Sequence, residues 1–177
     1  MIAWDDTSSA DLKEFRMIGD ESTGDLAAPV AQRAAPGASR VAVHRTVHLA
    51  FNRRDLDEVA RHVRPGAEFT DHARRRTVTA PTGLLDMLRG WIIAFPNAVI
   101  DAPSYINGGD YTVAKFHLRG VNRGPLGSIP SSGRRVDVAI CEVLHFDSRD
   151  RIVAGDLYYD ALGTMVQLGY LHPPRPA

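Results

Sequence analysis

The feature that most constrains this chain is its punctuation between residues 98 and 159. Four strand-length runs, 98–106, 111–121, 134–146 and 151–159, are separated by turn signals. Asn107-Gly108-Gly109-Asp110 and Asp147-Ser148-Arg149-Asp150 are short turns of the kind that join antiparallel neighbours, and a long Gly/Pro loop, 122–133, lies between the middle two runs. The chain ahead of them has a different period. Val43, Val47, Ala50 and Phe51 share one helical face, and Leu56, Val59, Ala60 and Val63 recur at i, i+3, i+4 and i+7. Leu84, Leu88, Trp91, Ile92 and Phe95 mark a third helix over 82–95. Ser39 is the expected N-cap of the first helix, Pro65-Gly66 the stop of the second and Pro96 the stop of the third. Residues 67–72 read as a short strand, and 161–168 as a closing helical turn.

Three helices followed by a strongly curved antiparallel sheet make an α+β domain. Helices laid over the concave side of such a sheet give a cone with an internal pocket, which suits a small organic ligand. The chain divides near residue 38. Residues 1–38 lack a sustained apolar period and read as an extension or arm, with a short helix around Asp11–Phe15; 39–172 form the cone domain and 173–177 a tail. Hydrophobic residues at 44% supply a core, and 21 basic residues balance 21 acidic ones, which argues against a nucleic-acid or anionic-membrane partner. Nineteen of the basic residues are Arg, a bias that G+C-rich coding explains more simply than function does. A lone cysteine, Cys141, forms no intrachain disulfide, and no apolar run approaches the roughly 20 residues that cross a bilayer. The expected location is the cytoplasm.

An ordered set of short motifs then stands out. Asn52-Arg53-Arg54-Asp55-Leu56 is followed by Thr82-Gly83, Ala94-Phe95-Pro96-Asn97, the loop 124–136 ending in Ser-Gly-Arg-Arg-Val, Arg151-Ile152-Val153, Tyr158-Tyr159-Asp160 and Gln167-Leu168-Gly169. From about residue 40 to 171 this resembles the SnoaL-like polyketide cyclase (ester cyclase) family of the nuclear-transport-factor-2-like superfamily. The resemblance implies a cone fold, a homodimer, no metal and no organic cofactor. It also implies ring closure of a polyketide intermediate by acid/base chemistry, and the leading expectation is a cyclase-like or isomerase-like enzyme of secondary metabolism acting on a bulky, largely apolar carbonyl compound. A hydrolase or dehydratase on the same cone, and a noncatalytic ligand-binding or accessory module, are the alternatives. Two positions depart from the family. The Trp often found ahead of the final Asp is absent, and Asn122 stands where a His is common; Asn hydrogen-bonds but cannot shuttle a proton.

Asp160 matches the aspartate of the closing motif and is the expected general acid/base, although an Asp there also suits the N-cap of the following helix. His72 and His145 are the expected proton partners, since imidazole titrates near neutrality. Trp91, Tyr158, Asp71, His117 and Asn122 are expected around the substrate. His44 and His48, four apart on a helix, have a spacing that holds a metal, but no third ligand lies nearby in sequence, so the expectation is a solvated or interface face. Arg74-Arg75-Arg76 would attract an anion, yet three basic residues in a loop more often form a solvated surface. Apolar residues on both faces of 136–146 suggest that the outer face of the sheet packs against a second copy.

Overall fold

A computed structural model describes residues 38–172. The arm, its short helix and the five-residue tail expected from sequence lie outside the described residues. Helices α1 (Ala38–Arg53) and α2 (Leu56–Arg61) lead into strands β1 (Val63–Asp71) and β2 (Arg76–Thr79). Then come α3 (Thr82–Ala94), β3 (Val99–Asn107), β4 (Tyr111–Val121), β5 (Arg135–Phe146), β6 (Ile152–Tyr159) and α4 (Ala161–Leu168). The six strands form one sheet in the order β2-β1-β6-β5-β4-β3. The fold is α+β, a curved sheet closed by helices, as expected. One pairing gives the sheet a mixed character: β1 lies parallel to β6, while every other pair is antiparallel.

Local chemistry sets the boundaries. Helix α1 begins at Ala38, so Ser39 lies inside it; its hydroxyl donates to Asp150 Oδ2 at 2.5 Å instead of capping. Arg40 Nε reaches the same carboxylate at 2.8 Å, and together they fasten the start of α1 to the β5–β6 turn. At the other end Asn52 clamps the backbone of Ile100, donating from Nδ2 at 3.0 Å and accepting through Oδ1 at 2.7 Å. Asp55 caps α2 by accepting from the Glu58 N–H at 3.0 Å. Pro65-Gly66 does not stop α2, which has already ended at Arg61. It sits in β1 at a register irregularity, where Gly66 takes a φ of +83°.

The core lies between the concave face of the sheet and α1–α3. Even-numbered residues of β5 (Val136, Val138, Ile140, Leu144, Phe146) are buried on that face, opposite even-numbered residues of β4 such as Phe116 and Leu118. Among the described residues, no helix is long and apolar enough to cross a membrane. The core is tightly packed at Gly155 on β6, which faces inward beside Phe69: a Cβ there would lie 2.4 Å from a ring carbon of that buried side chain. Gly155→Ala is therefore expected to lower stability by roughly 1–3 kcal/mol, the usual cost of overpacking, measured as a shift in the urea unfolding midpoint.

Candidate active site

Helix α1 matters most to the interior, because His44 and His48, one turn apart, point the same way. Both donate from Nε2 to a single carboxylate oxygen, Glu142 Oε2 on β5, at 2.9 and 2.8 Å. A neutral imidazole that donates from Nε2 leaves Nδ1 as acceptor. It receives the Thr112 hydroxyl at 2.7 Å in His44 and the Tyr105 hydroxyl at 3.0 Å in His48. His44 is wholly buried, and Glu142 keeps 21% side-chain exposure. Glu142 Oε1 takes no hydrogen bond among the described residues, yet it is not a sealed, orphaned atom.

Glu142 and His48 border an inner cavity of about 100 Å³ whose other walls are largely apolar, including Phe51, Leu84, Leu88, Trp91 and Phe116. Burial works against ionisation of Glu142, but hydrogen bonds from His44 and His48 outweigh it and hold the carboxyl well below the usual range. Burial also holds His44 below its ordinary value, against the pull of Glu142. Burial raises the Tyr105 hydroxyl, which stays a donor. The result is an ionised carboxylate with one oxygen gripped and the other free, at the polar end of an apolar chamber. The same three residues bring ligand atoms within 4.8 Å of one another and are the grouping that could hold a metal ion. Sequence spacing shows the two histidines on α1; their partner comes from β5.

A second cavity, of about 310 Å³, lies where β1 and β6 end. Trp91 forms a wall of both cavities. Beside it Asp71, 1% exposed, accepts from the Tyr159 hydroxyl at 3.2 Å and from the Arg74 N–H at 2.9 Å. The Arg74 guanidinium stands 4.5 Å over the Trp91 ring. Burial pushes the Tyr159 hydroxyl well above the ordinary tyrosine range, so it remains protonated.

Known structures share this arrangement of sheet and helices. Residues 41–168 fit the model of the family described as SnoaL-like polyketide cyclase. The chain belongs to that family. Among solved structures it is similar to AclR, a candidate hydroxylase from Streptomyces galilaeus, at 21% identity over 78% of this chain and 86% of that one, with a TM-score of 0.68. It is also similar to a candidate SnoaL-like polyketide cyclase from Jannaschia sp. CCS1 (18% identity, 81% and 99% covered, TM-score 0.71). A third is IdmH, a candidate polyketide cyclase from Streptomyces antibioticus (18%, 73% and 98%, TM-score 0.64). At these identities the likeness concerns the fold. No curated protein matches by sequence.

The structure sorts the residues expected from sequence into three places. Trp91 walls both cavities, and Asp71 is buried beside the second without lining it. His72, His145, His117 and Tyr158 lie on the outer face of the sheet, which corrects the expected inward placement. The reason is strand parity: on β5 the even residues point inward, so Glu142 enters the cone and His145 leaves it. His72, 41% exposed, donates to Asp156 at 2.7 Å and stacks on Tyr158 at 4.3 Å. His145, 44% exposed, stands 4.0 Å from the same Asp156, and His117 pairs with Asp137. Asp160 is exposed and caps α4, its Oδ1 accepting from the Gly163 N–H at 2.8 Å. Asn122 is fully buried and committed to structure: Nδ2 donates to the Ala94 and Gly124 carbonyls, and Oδ1 accepts from the Ser132 N–H.

The histidine–glutamate cluster should make stability sensitive to acid. Unfolding restores His44 to about its ordinary 6.5 and Glu142 to about 4.5, both above their folded values. The unfolded chain then binds more protons, so stability falls as pH drops, first below 6.5 through His44 and then below 4.5 through Glu142. In Glu142→Gln the first part should persist and the loss belonging to Glu142 should vanish, read from urea midpoints between pH 7 and pH 3.

Proposed function

We propose that the chain is a cyclase- or isomerase-type enzyme that performs cofactor-independent acid/base chemistry on a bulky, largely apolar carbonyl compound, with Glu142 as the proton-handling group. The observation that carries this reading is the free Oε1 of an ionised carboxylate beside an apolar chamber. A proton α to a carbonyl is removed by a base that is ionised, positioned and unshared by water. Glu142 meets the first condition through His44 and His48, which also fix its orientation. A substrate filling the cavity would displace water and strengthen the burial that raises Glu142, making it a better base when loaded than when empty. His48, at the cavity wall, is placed to stabilise charge there.

Membership of the family supports this reaction class, and the apolar lining supports the substrate class. Asp160 remains the competing acid/base residue, on its match to the closing motif. A hydrolase or dehydratase would use the same carboxylate against water or a leaving hydroxyl. A binding module would need the cavity and none of the proton chemistry.

The outer face of the sheet exposes Val99, Ile106, Tyr111 and Tyr158, and supports the further proposal of a homodimer packed through that face. Light scattering should give twice the monomer mass at micromolar concentration, and Ile106→Glu with Tyr158→Glu should return it to a monomer.

For the chemistry, Glu142→Gln should lower turnover by roughly 10²- to 10⁴-fold, the usual cost of losing one general acid or base. Asp160→Asn should leave turnover near wild type, because Asn is also a good N-cap. The assay is run on protein dialysed against a chelator. Loss in Asp160→Asn with Glu142→Gln active would move the proton to the closing motif; activity restored only by a divalent ion would make His44, His48 and Glu142 metal ligands.

A further inference from the structure

We propose that the second cavity, at the ends of β1 and β6, is a binding site for an organic monoanion: a one- or two-ring aromatic body bearing a carboxylate or sulfonate. The proposal does not depend on the acid/base reading, since it requires binding and no turnover.

The charge balance points to an anion. Arg74 and Arg76 both border the cavity, brought there by the tight turn between β1 and β2 in which Arg75 takes a positive φ of 55°. The acid facing them is Asp71. It lies 3.7 Å from Arg74 Nε and directly opposite Arg76 in the β1–β2 register. Its oxygens already accept from the Tyr159 hydroxyl and the Arg74 backbone, so it is tied into the wall. Arg76 forms no ion pair among the described residues. The nearby Asp160 is exposed and spends Oδ1 on its cap. Two guanidinium groups therefore face one committed carboxylate, leaving a net positive charge at the cavity.

The walls point to a ring. Arg74 is held with its guanidinium over Trp91, which keeps its donors oriented while the aromatic and apolar surfaces of Trp91, Leu126, Ile129 and Met165 line the space. A volume of about 310 Å³ falls at the small end of ligand pockets. Planar guanidinium donors match the two oxygens of a carboxylate or sulfonate. The loop of three arginines thus does more than solvate a surface. Because Trp91 also walls the inner cavity, an occupant here would press on the chamber that holds Glu142.

The test uses two dyes of one ring skeleton on the full chain. 8-Anilinonaphthalene-1-sulfonate carries the anion; N-phenyl-1-naphthylamine lacks it. Fluorescence titration should show the sulfonate dye bound more tightly, with its affinity falling as NaCl rises. Arg74→Gln with Arg76→Gln should weaken the sulfonate dye about 10- to 100-fold, as expected for losing charge-assisted hydrogen bonds, and leave the neutral dye within about twofold. Should that variant fail to fold, Arg76→Gln alone removes one of the two charges and should weaken the sulfonate dye in the same direction. Ser128→Trp, in the loop that borders the cavity, should block it. Equal affinity for both dyes, a sulfonate affinity indifferent to the Gln pair, sulfonate binding undisturbed by Ser128→Trp, or no binding at all would each overturn the proposal. None of these readouts moves with the acid/base reading, which stands or falls on Glu142→Gln turnover.

Discussion

Glu142 carries a negative charge into an apolar cone, and that charge must be answered from within. The answer comes from His44 and His48 on α1, which are in turn answered by Thr112 on β4 and Tyr105 on β3. Helix and three strands are thereby linked through one carboxylate oxygen. A buried network of this kind is costly when half satisfied, so the position of α1 over the sheet is set by the need to complete it. The same constraint leaves Glu142 with one oxygen spare. Structural satisfaction and chemical availability are divided between the two oxygens of one side chain.

The motifs that carry the family resemblance serve mostly as joints. Asn52 clamps α1 to β3, Asn122 ties down the long loop, and Asp160 caps α4. Gln167 reads the Asp137 backbone in both directions, accepting at 2.7 Å and donating at 3.0 Å. Joints recur because a fold needs them, whatever it binds. The residues that face the cavities come from positions between the joints, where the chemistry of a given member is free to differ. Family membership accordingly settles architecture first and reaction last.

Much of the fold was legible because its signals are local. The run 111–121 became β4 and 161–168 became α4 at the expected residues. β2 is not legible in the sequence: it is only four residues long, starts on the last of the three arginines and has Val78 as its one apolar residue. Ser39 was misplaced by one turn boundary, since Asp150 competes for its hydroxyl. In the site, the helical spacing of His44 and His48 was plain, but the residue that gives it meaning lies 94 positions beyond His48. Alternation along β5 puts Glu142 and His145 on opposite faces. Nothing in the strand itself says which face is concave, because both faces carry apolar residues, and that choice is made by the helices that cover one of them.

The single parallel pairing in the sheet has a kinetic consequence. Residue 70 on β1 pairs with residue 156 on β6, a separation of 86 positions, whereas β3, β4 and β5 each pair with the next strand in the chain. The late meander can form by short excursions of the chain. The β1–β2 hairpin must wait for it, carrying the entropy cost of a long loop before it gains an edge to lie against. On a ribosome that edge is one of the last parts made. Both cavities have walls on each side of this junction, so ligand binding should be a late acquisition of the folding chain, arriving with the strand that completes the sheet.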